Sequence, residues 1–283
     1  MSHLLEDCKE YIFYCGTTKY TIKGHSQAGE RTGFIVVELG ILLDCGVVTN
    51  KHPKAIFITH SHVDHAAALP YCAGCRAPKN IPTIMPPEAI EPIKELEQSI
   101  HDMSCGSLQP RGDEIWNDQK IQVISATVGN TITISELKNF EIEVHPAYHN
   151  AESLGYGFIK VVNKLKPGVD KTKIRELKEA GEEITFVQKT PEFLFYSDTT
   201  IDALTLHEEW KKFPVVIIEC TRYTKPNPPN MMHIHWDDIR PIIEDNSNNF
   251  FILIHHGGGE KEHNLKQIQK ESHLKNLYIW TNS

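Results

Sequence analysis

The sequence predicts a layered α/β sandwich with a mixed sheet, and two features of its hydrophobic pattern support that fold class. Short apolar runs of strand length recur along the chain and are separated by polar or glycine-containing turns. In the first half these runs follow one another closely, whereas in the second half they alternate with segments of helical periodicity. The chain has 283 residues and an apolar fraction of 40%, so we expect one domain with a large core.

Strands dominate the first part of the prediction. Two buried strands lie within 33–46 around a tight turn at 38–40, and a third strand, 55–60, runs directly into a histidine-rich segment. Residues 86–103 have apolar side chains three or four positions apart with acidic residues between them, which predicts an amphipathic helix.

The later part of the chain combines strands and helices. Alternating apolar residues predict strands within 120–134 and 140–148, and helices are expected at 171–180 and 236–244. Four further β-rich runs are LGYGFIKVV, EFLFYSD, VVIIECT and FFILIH. This order of elements favours strands that meander first and later alternate with helices.

Composition narrows the class of protein. No stretch approaches the roughly 20 apolar residues that a membrane span needs, and the first residues lack the basic start and apolar run of a signal peptide. Seven scattered cysteines, an odd number, fit reduced thiols better than a disulfide framework. We therefore expect an intracellular protein without membrane contact. The net charge of −8 argues against binding nucleic acid by charge alone.

The segment THSHVDH holds the strongest functional signal in the sequence. His60 and His62 are two residues apart and can reach one ion from a loop at a strand end, while Asp64 and His65 point to a neighbouring position. Imidazole and carboxylate are good ligands for zinc. Three histidines and an aspartate would make a poor core and a poor turn, so a polar loop formed by chance is the weaker interpretation.

H-x-H-x-D-H is the signature of the metallo-β-lactamase superfamily, and the chain resembles its short-form ribonuclease Z (tRNase Z) members. The resemblance implies a four-layer αββα sandwich, with residues 1–283 forming a single domain that holds two metal ions. It also places Asp44, at the end of the apolar run ILLDCG, behind the motif loop, where it would fix the loop rather than bind metal.

The resemblance implies three further ligands. His149 precedes a Gly-Tyr pair by six residues, as the third family histidine does, with His145 as the alternative. Asp198, in YSDTT, matches the family aspartate that bridges both ions, although it could instead be a helix N-cap. A final histidine follows the run FFILI, where His255 is preferred and His256 is the rival.

The implied arrangement is therefore two ligand sets that share one carboxylate. The first set comprises His60, His62 and His149, the second comprises Asp64, His65 and His255, and Asp198 lies between them. Nitrogen and oxygen ligands of this kind suit Zn²⁺ best, with Mn²⁺ or iron as alternatives.

Residues outside the metal ligands indicate the substrate class. His233 resembles the family histidine that donates a proton to the leaving oxygen, Glu219 resembles the glutamate that orients it, and Asp64 is expected to steer the proton of the attacking water. Residues 160–190 match the insertion that forms a substrate-holding arm, with eight basic against five acidic side chains. The resemblance implies a homodimeric endoribonuclease that removes 3′ trailers from precursor tRNA.

Some family positions differ in this chain. Residues 256–260 replace the usual Ser-x-Arg-Tyr, Arg222 replaces a phenylalanine, and residues 24–29 replace a basic loop. Because these positions surround the substrate rather than the metals, a broader hydrolase of the same fold remains an alternative: a general RNase, a cyclic-nucleotide phosphodiesterase or a β-lactamase-like enzyme. A third interpretation is a non-catalytic binding subunit, but the complete set of inferred ligands argues against it.

Overall fold

Two β-sheets pack face to face in the computed structural model, which describes residues 4–74, 80–105, 121–226, 228 and 231–283. The first sheet has the order β1-β2-β3-β4-β5-β6-β7, with the short strand β14 added beside β2. Its strands are β1 (Lys9–Cys15), β2 (Thr18–Ala28), β3 (Arg31–Val36), β4 (Ile41–Leu43), β5 (Ala55–Phe57), β6 (Ile81–Met85), β7 (Ile121–Ser125) and β14 (His256–Gly257).

The second sheet has the order β15-β13-β12-β11-β10-β9-β8. Its strands are β8 (Thr131–Ile132), β9 (Phe140–Ala147), β10 (Ser153–Leu165), β11 (Thr185–Phe195), β12 (Val215–Glu219), β13 (Phe250–Ile254) and β15 (Leu277–Ile279). Each sheet is antiparallel on one side and parallel on the other. In the first sheet, strands β1 to β4 are antiparallel and strands β4 to β7 are parallel. In the second sheet, strands β8 to β11 are antiparallel, and β11, β12, β13 and β15 are parallel. The mixed topology predicted from the sequence is confirmed.

Six α-helices lie in the described part of the chain. They are α1 (Val63–Ala66), α2 (Pro87–Cys105), α3 (Ile174–Glu179), α4 (Asp202–Thr205), α5 (Trp236–Asp245) and α6 (Glu262–Ser272). The predicted helices at 86–103 and 236–244 correspond to α2 and α5, and the one at 171–180 is a 3₁₀ turn followed by α3. None of the helices described is long and apolar enough to cross a membrane.

The alternation of side chains along the strands produces four layers. In β12, Val215 and Ile217 face the core between the two sheets, whereas Val216 and Ile218 face the core that α5 and α6 cover. In β4, Ile41 and Leu43 face the core between the sheets, whereas Leu42 packs against α2 in a third core. Because both faces of each sheet are apolar, helices must cover the outer faces, and the predicted αββα arrangement is confirmed.

Strand direction gathers polar residues at one edge of the second sheet. Strands β9, β11, β12 and β13 all run the same way, since β9 and β11 are both antiparallel to β10. Their carboxyl ends therefore lie along a single edge, where they deliver His149, Asp198, Glu219 and His255. Strand β5 of the first sheet ends at Phe57, three residues earlier than predicted, because the backbone N–H of Thr59 donates to the Asp44 carboxylate.

Residues 160–190 form a hairpin that extends the second sheet. Strands β10 and β11 stay paired from Lys160↔Thr190 out to Leu165↔Thr185, and α3 lies at the tip between them. Phe186 and Val187 on this hairpin are 40% and 56% exposed. We call residues 160–190 the arm.

Candidate metal centre

Three histidines from two loops converge on one side of Asp198. His149 Nε2 lies 3.3 Å from His62 Nδ1 and 3.6 Å from Asp198 Oδ2, and His60 Nε2 lies 3.7 Å from the same oxygen. His149 Nδ1 donates to the Met232 carbonyl oxygen at 2.9 Å, which leaves its Nε2 lone pair directed at the cluster. The first predicted ligand set is thus brought together, with one ligand atom from each side chain facing a common point.

A second cluster lies on the other side of the same carboxylate. His65 Nε2 and His255 Nε2 are 3.2 Å apart and lie 3.3 and 3.2 Å from Asp198 Oδ1. Asp64 Oδ2 lies 3.3 Å from His65 Nε2 and 3.5 Å from His255 Nε2, and it also accepts a hydrogen bond of 2.8 Å from the Gly29 backbone. The second predicted set, Asp64, His65 and His255, is also brought together.

Asp198 joins the two clusters, because its Oδ2 faces one and its Oδ1 faces the other. The side chain is buried, and neither its Oδ1 nor the Nε2 of buried His60 forms a hydrogen bond with any described residue. Buried polar atoms are normally satisfied, so these two atoms require a partner of another kind. Six histidine and aspartate side chains around a shared carboxylate are the donor set of a dinuclear site, and the cluster fits two divalent metal ions.

Four of these side chains have the protonation state of a metal ligand, whereas the pKa of His65 is raised because the neighbouring carboxylates outweigh its burial. Burial and the neighbouring His65 hold the pKa of His60 well below its usual value, and burial likewise lowers the pKa of His62 and of His149. Burial opposes ionisation of Asp198, yet the surrounding histidines outweigh it and hold the pKa of this carboxyl far below its usual range. Neutral imidazoles and an ionised carboxylate are the forms that bind metal.

Asp44 holds the motif loop from behind. It is buried at the end of β4 with φ of 55°, a left-handed conformation that is rare for residues other than glycine. Its carboxylate accepts from His65 Nδ1 at 2.9 Å and from the Thr59 hydroxyl at 2.9 Å. Thr59 Oγ1 in turn accepts from His60 Nδ1 at 3.0 Å, so one carboxylate orients two of the histidines.

Glu219 performs the equivalent task for the opposite side of the centre. Its Oε2 accepts a hydrogen bond of 2.6 Å from the Thr221 hydroxyl, whose oxygen accepts from His255 Nδ1 at 3.1 Å. His255 also has a left-handed backbone, with φ of 63°, and its backbone N–H donates to Ser26 Oγ at 2.9 Å. These contacts hold the strained His255 with its Nε2 toward Asp198.

The same glutamate also fixes His233 beside the two clusters. His233 Nδ1 donates to Glu219 Oε1 at 2.7 Å and lies 4.0 Å from Asp198 Oδ2. Burial disfavours the charged imidazole, but Glu219 outweighs burial and raises the pKa of His233 above its usual value. The predicted pair of a histidine and its orienting glutamate is therefore adjacent to the candidate metal ligands.

The rival histidines lie outside the cluster. His145 packs its ring against Phe213 with centroids 5.5 Å apart, and its Nε2 lies 3.3 Å from Glu143. His256 belongs to β14, and its Nε2 is 3.4 Å from the Asn282 amide. Sequence reasoning assigned no role to Thr59 or Thr221, or to the further supports Ser26, Gly29 and Met232. The only sequence signal for the two threonines was their position one residue before His60 and two residues after Glu219.

Comparisons with known proteins identify the family of this chain. The beta-lactamase superfamily domain matches residues 47–256. The chloroplastic tRNase Z TRZ2 of Arabidopsis thaliana is 33% identical over 190 residues, which are 64% of this chain and 50% of that protein. The tRNase Z TRZ1 of the same plant is 28% identical over 211 residues, 71% of each protein. The chain thus spans half the length of the first of these relatives.

A solved structure confirms the fold. The metallo-beta-lactamase fold protein YhfI from Bacillus subtilis superposes with a TM-score of 0.57 over 92% of this chain and 94% of that one, at 13% sequence identity. The resemblance predicted from the histidine motif is confirmed by the family match and by the tRNase Z relatives. This chain belongs to the beta-lactamase superfamily domain family.

Proposed function

We propose that the chain is a dinuclear-metal endoribonuclease of the ribonuclease Z type, which hydrolyses a phosphodiester in precursor tRNA and removes the 3′ trailer. One observation supports this most directly. Asp198 lies between two histidine-rich clusters, and His233, held by Glu219, lies next to both. Two cations with an adjacent proton donor meet the needs of phosphodiester hydrolysis, in which negative charge develops on the phosphate and on the leaving oxygen.

Zinc is the ion we propose for both positions. Four of the five histidines present Nε2 and His62 presents Nδ1, and carboxylate oxygens complete each set, which is a combination that suits zinc. Bound divalent ions would supply an activated water and neutralise charge on the phosphate oxygens. Metal analysis of purified protein should give two zinc ions per chain.

The side chains of this chain would move the protons. Asp64, oriented by the Gly29 N–H at 2.8 Å, accepts or steers the proton of the attacking water. His233, whose pKa Glu219 raises, carries a proton that it donates to the leaving 3′ oxygen. Cleavage in this way leaves a 3′-hydroxyl on the tRNA body.

The arm offers a surface for the RNA backbone. Within the described residues, Lys166, Arg175 and Lys189 are paired with glutamates, whereas three lysines around α3 form no ion pair. We call these three the arm lysines: Lys171, Lys173 and Lys178. These positive charges lie on a protruding hairpin and are suited to contacting phosphates. They provide a local basic surface for RNA on a protein whose net charge is negative. We further propose an intracellular homodimer in which the arm of one subunit holds the substrate of the other.

End-mapping of cleavage on a precursor tRNA tests the proposal. The expected result is a single cut after the discriminator base that yields a 3′-hydroxyl on the tRNA body. Cuts scattered along the precursor, or none by zinc-loaded protein, would refute trailer processing.

Replacement of His233 tests the proton donor separately. We expect His233→Ala to lower turnover by about two to four orders of magnitude while two metals per chain are retained, because the histidine donates a proton and does not bind metal. A parallel loss of metal and activity would instead make His233 a ligand or a structural residue.

The differences from the family around the substrate favour one second candidate, a broader hydrolase. Residues 24–29 and 256–260, which replace the family segments, lie side by side where β14 pairs with β2. Assays of the zinc-loaded protein on precursor tRNA, generic single-stranded RNA and nitrocefin distinguish the candidates. Equal rates on both RNAs would favour a general RNase, and hydrolysis of nitrocefin would favour a β-lactamase-like activity.

A further inference from the structure

Tyr148 and His207 form one continuous flat surface beside the metal centre. The planes of the two rings differ by 10°, their centroids are 6.0 Å apart, and the Tyr148 hydroxyl and His207 Nε2 are joined by a hydrogen bond of 2.6 Å. Both bonded atoms lie on the edges of their rings, and the imidazole lone pair points along its ring plane. The rings therefore lie edge to edge, so that their faces form a shared aromatic platform.

The platform is fixed to the metal centre by the backbone. Tyr148 directly precedes the ligand His149, and its backbone N–H donates to Thr199 Oγ1 at 2.9 Å. The N–H of Thr200 donates to the Tyr148 carbonyl oxygen, also at 2.9 Å. Because Thr199 follows Asp198, the platform cannot shift without moving the centre.

Two adjoining cavities run along this platform. The first, about 490 Å³, is lined by Tyr148, His149 and Val128, and the second, about 380 Å³, is lined by His207 and again by Val128. Val128 is 54% exposed although it is apolar. Cavities of a few hundred Å³ with flat aromatic and apolar walls are typical of sites for small planar ligands.

The charge of the first cavity distinguishes a base from a phosphate. Glu88 and Glu152 line it, and the carboxylate of each accepts a hydrogen bond from the backbone N–H of the other, at 3.1 and 3.3 Å. Two carboxylates repel a phosphate but accept hydrogen bonds from exocyclic amino groups. The phosphate of a nucleotide is accordingly expected at the metal centre and its base in the cavity.

We propose that the Tyr148–His207 platform and the cavity beside it bind a nucleobase of the substrate that carries an exocyclic amino group, next to the scissile phosphate. The proposal rests on the proposed function, because an RNA substrate supplies the base. Stacking on an aromatic surface is sequence-tolerant, and the two carboxylates add a preference for bases with amino groups.

Binding of AMP and of ribose 5-phosphate to the metal-loaded protein tests the proposal, since these ligands differ only in the base and neither contains a phosphodiester. In isothermal titration we expect AMP to bind about tenfold or more tightly than ribose 5-phosphate. Tyr148→Leu keeps apolar bulk without a flat ring and should reduce this ratio to about one, and His207→Ala should reduce it in part. Tyr14→Ala removes a 61% exposed ring on β1 that lines neither cavity, and it should leave the ratio unchanged.

A ratio near one in the unaltered protein would overturn the proposal, as would an undiminished ratio in Tyr148→Leu. Fluorescence of 2-aminopurine riboside 5′-monophosphate gives a second readout, because stacking on Tyr148 should quench it and Tyr148→Leu should restore it. The experiments distinguish failure of the nucleobase site from failure of the proposed function. Normal trailer cleavage without base discrimination refutes only the nucleobase site, and base discrimination without RNA cleavage refutes only the proposed function.

Discussion

Glu219→Gln tests how much of the centre depends on one buried carboxylate. Glu219 Oε1 accepts from the Thr199 N–H at 2.8 Å and from His233 Nδ1 at 2.7 Å. Its Oε2 accepts from the Thr221 hydroxyl at 2.6 Å and from the Ile234 N–H at 3.3 Å. A glutamine has the same shape but a single acceptor oxygen, so its NH₂ group must face two donors.

The loss of stability depends on which pair of donors the NH₂ group of the glutamine faces. It should face Thr221, because a hydroxyl can reverse its role and accept, whereas the Ile234 N–H cannot. Leaving that N–H unpaired in the interior costs about 1–3 kcal/mol, and changing the charge-assisted bond from His233 to a neutral one costs about 1 kcal/mol more. We therefore expect Glu219→Gln to lower the free energy of unfolding by about 2–4 kcal/mol, and to reduce turnover because His233 loses its charged partner.

Glu97→Gln is the matched control, because the same substitution at another buried glutamate should have the opposite effect. Glu97 is 4% exposed, and neither of its carboxylate oxygens forms a hydrogen bond with a described residue. Burial raises its pKa from 4.5 to about 8. The folded protein thus keeps a proton that the unfolded chain releases, so stability falls as the pH rises from about 4.5 to 8, and the glutamine variant should lack this fall and be more stable at pH 8.

Urea unfolding of both variants at pH 5 and pH 8 measures these effects, with the denaturant slope checked for constancy. The reasoning about Glu219 is refuted if Glu219→Gln unfolds at the same urea concentration as the unaltered protein. A Glu97→Gln variant that is less stable than the unaltered protein at pH 8 would contradict the argument about Glu97.

Four further predictions concern the frame around the centre. Gly46→Ala should abolish metal binding and lower the melting temperature, because the new Cβ would overlap the backbone oxygen of Asp64; normal metal content would contradict this. Asn282 pairs its amide with the backbone N–H and C=O of Ser26, which supports His255, so Asn282→Ala should reduce metal content from two toward one per chain. Replacing the arm lysines with glutamine should weaken binding of precursor tRNA but leave hydrolysis of bis(p-nitrophenyl) phosphate unchanged. The number of phosphate contacts calculated from the salt dependence of tRNA binding should fall by about two to three. Chelation of the metals should lower the melting temperature reversibly, with zinc restoring it; an unchanged value would argue against a structural link between metal and fold.

The sequence by itself determined the local half of the centre. His60, His62, Asp64 and His65 are neighbours in the chain, so their spacing at a strand end fixed their common location before any tertiary contact was considered. The alternating and helical apolar patterns likewise predicted a layered α/β sandwich with a mixed sheet, because side-chain direction along a strand or helix is a local property. The strand at 55–60 was predicted too long, since its end is set by Asp44, which is distant in the sequence.

Only the tertiary structure decided which later residues join that centre. The family resemblance favoured His149 over His145 and His255 over His256, but their approach to the centre depends on strand order and direction, which place the carboxyl ends of four strands at one edge. The sequence also did not predict that Thr59 and Thr221 link the two buried carboxylates to His60 and His255. A hydroxyl orients a histidine only where the fold brings a carboxylate and an imidazole to it. Pairings between residues far apart in the sequence are set by the packing of two sheets, and no local pattern encodes them.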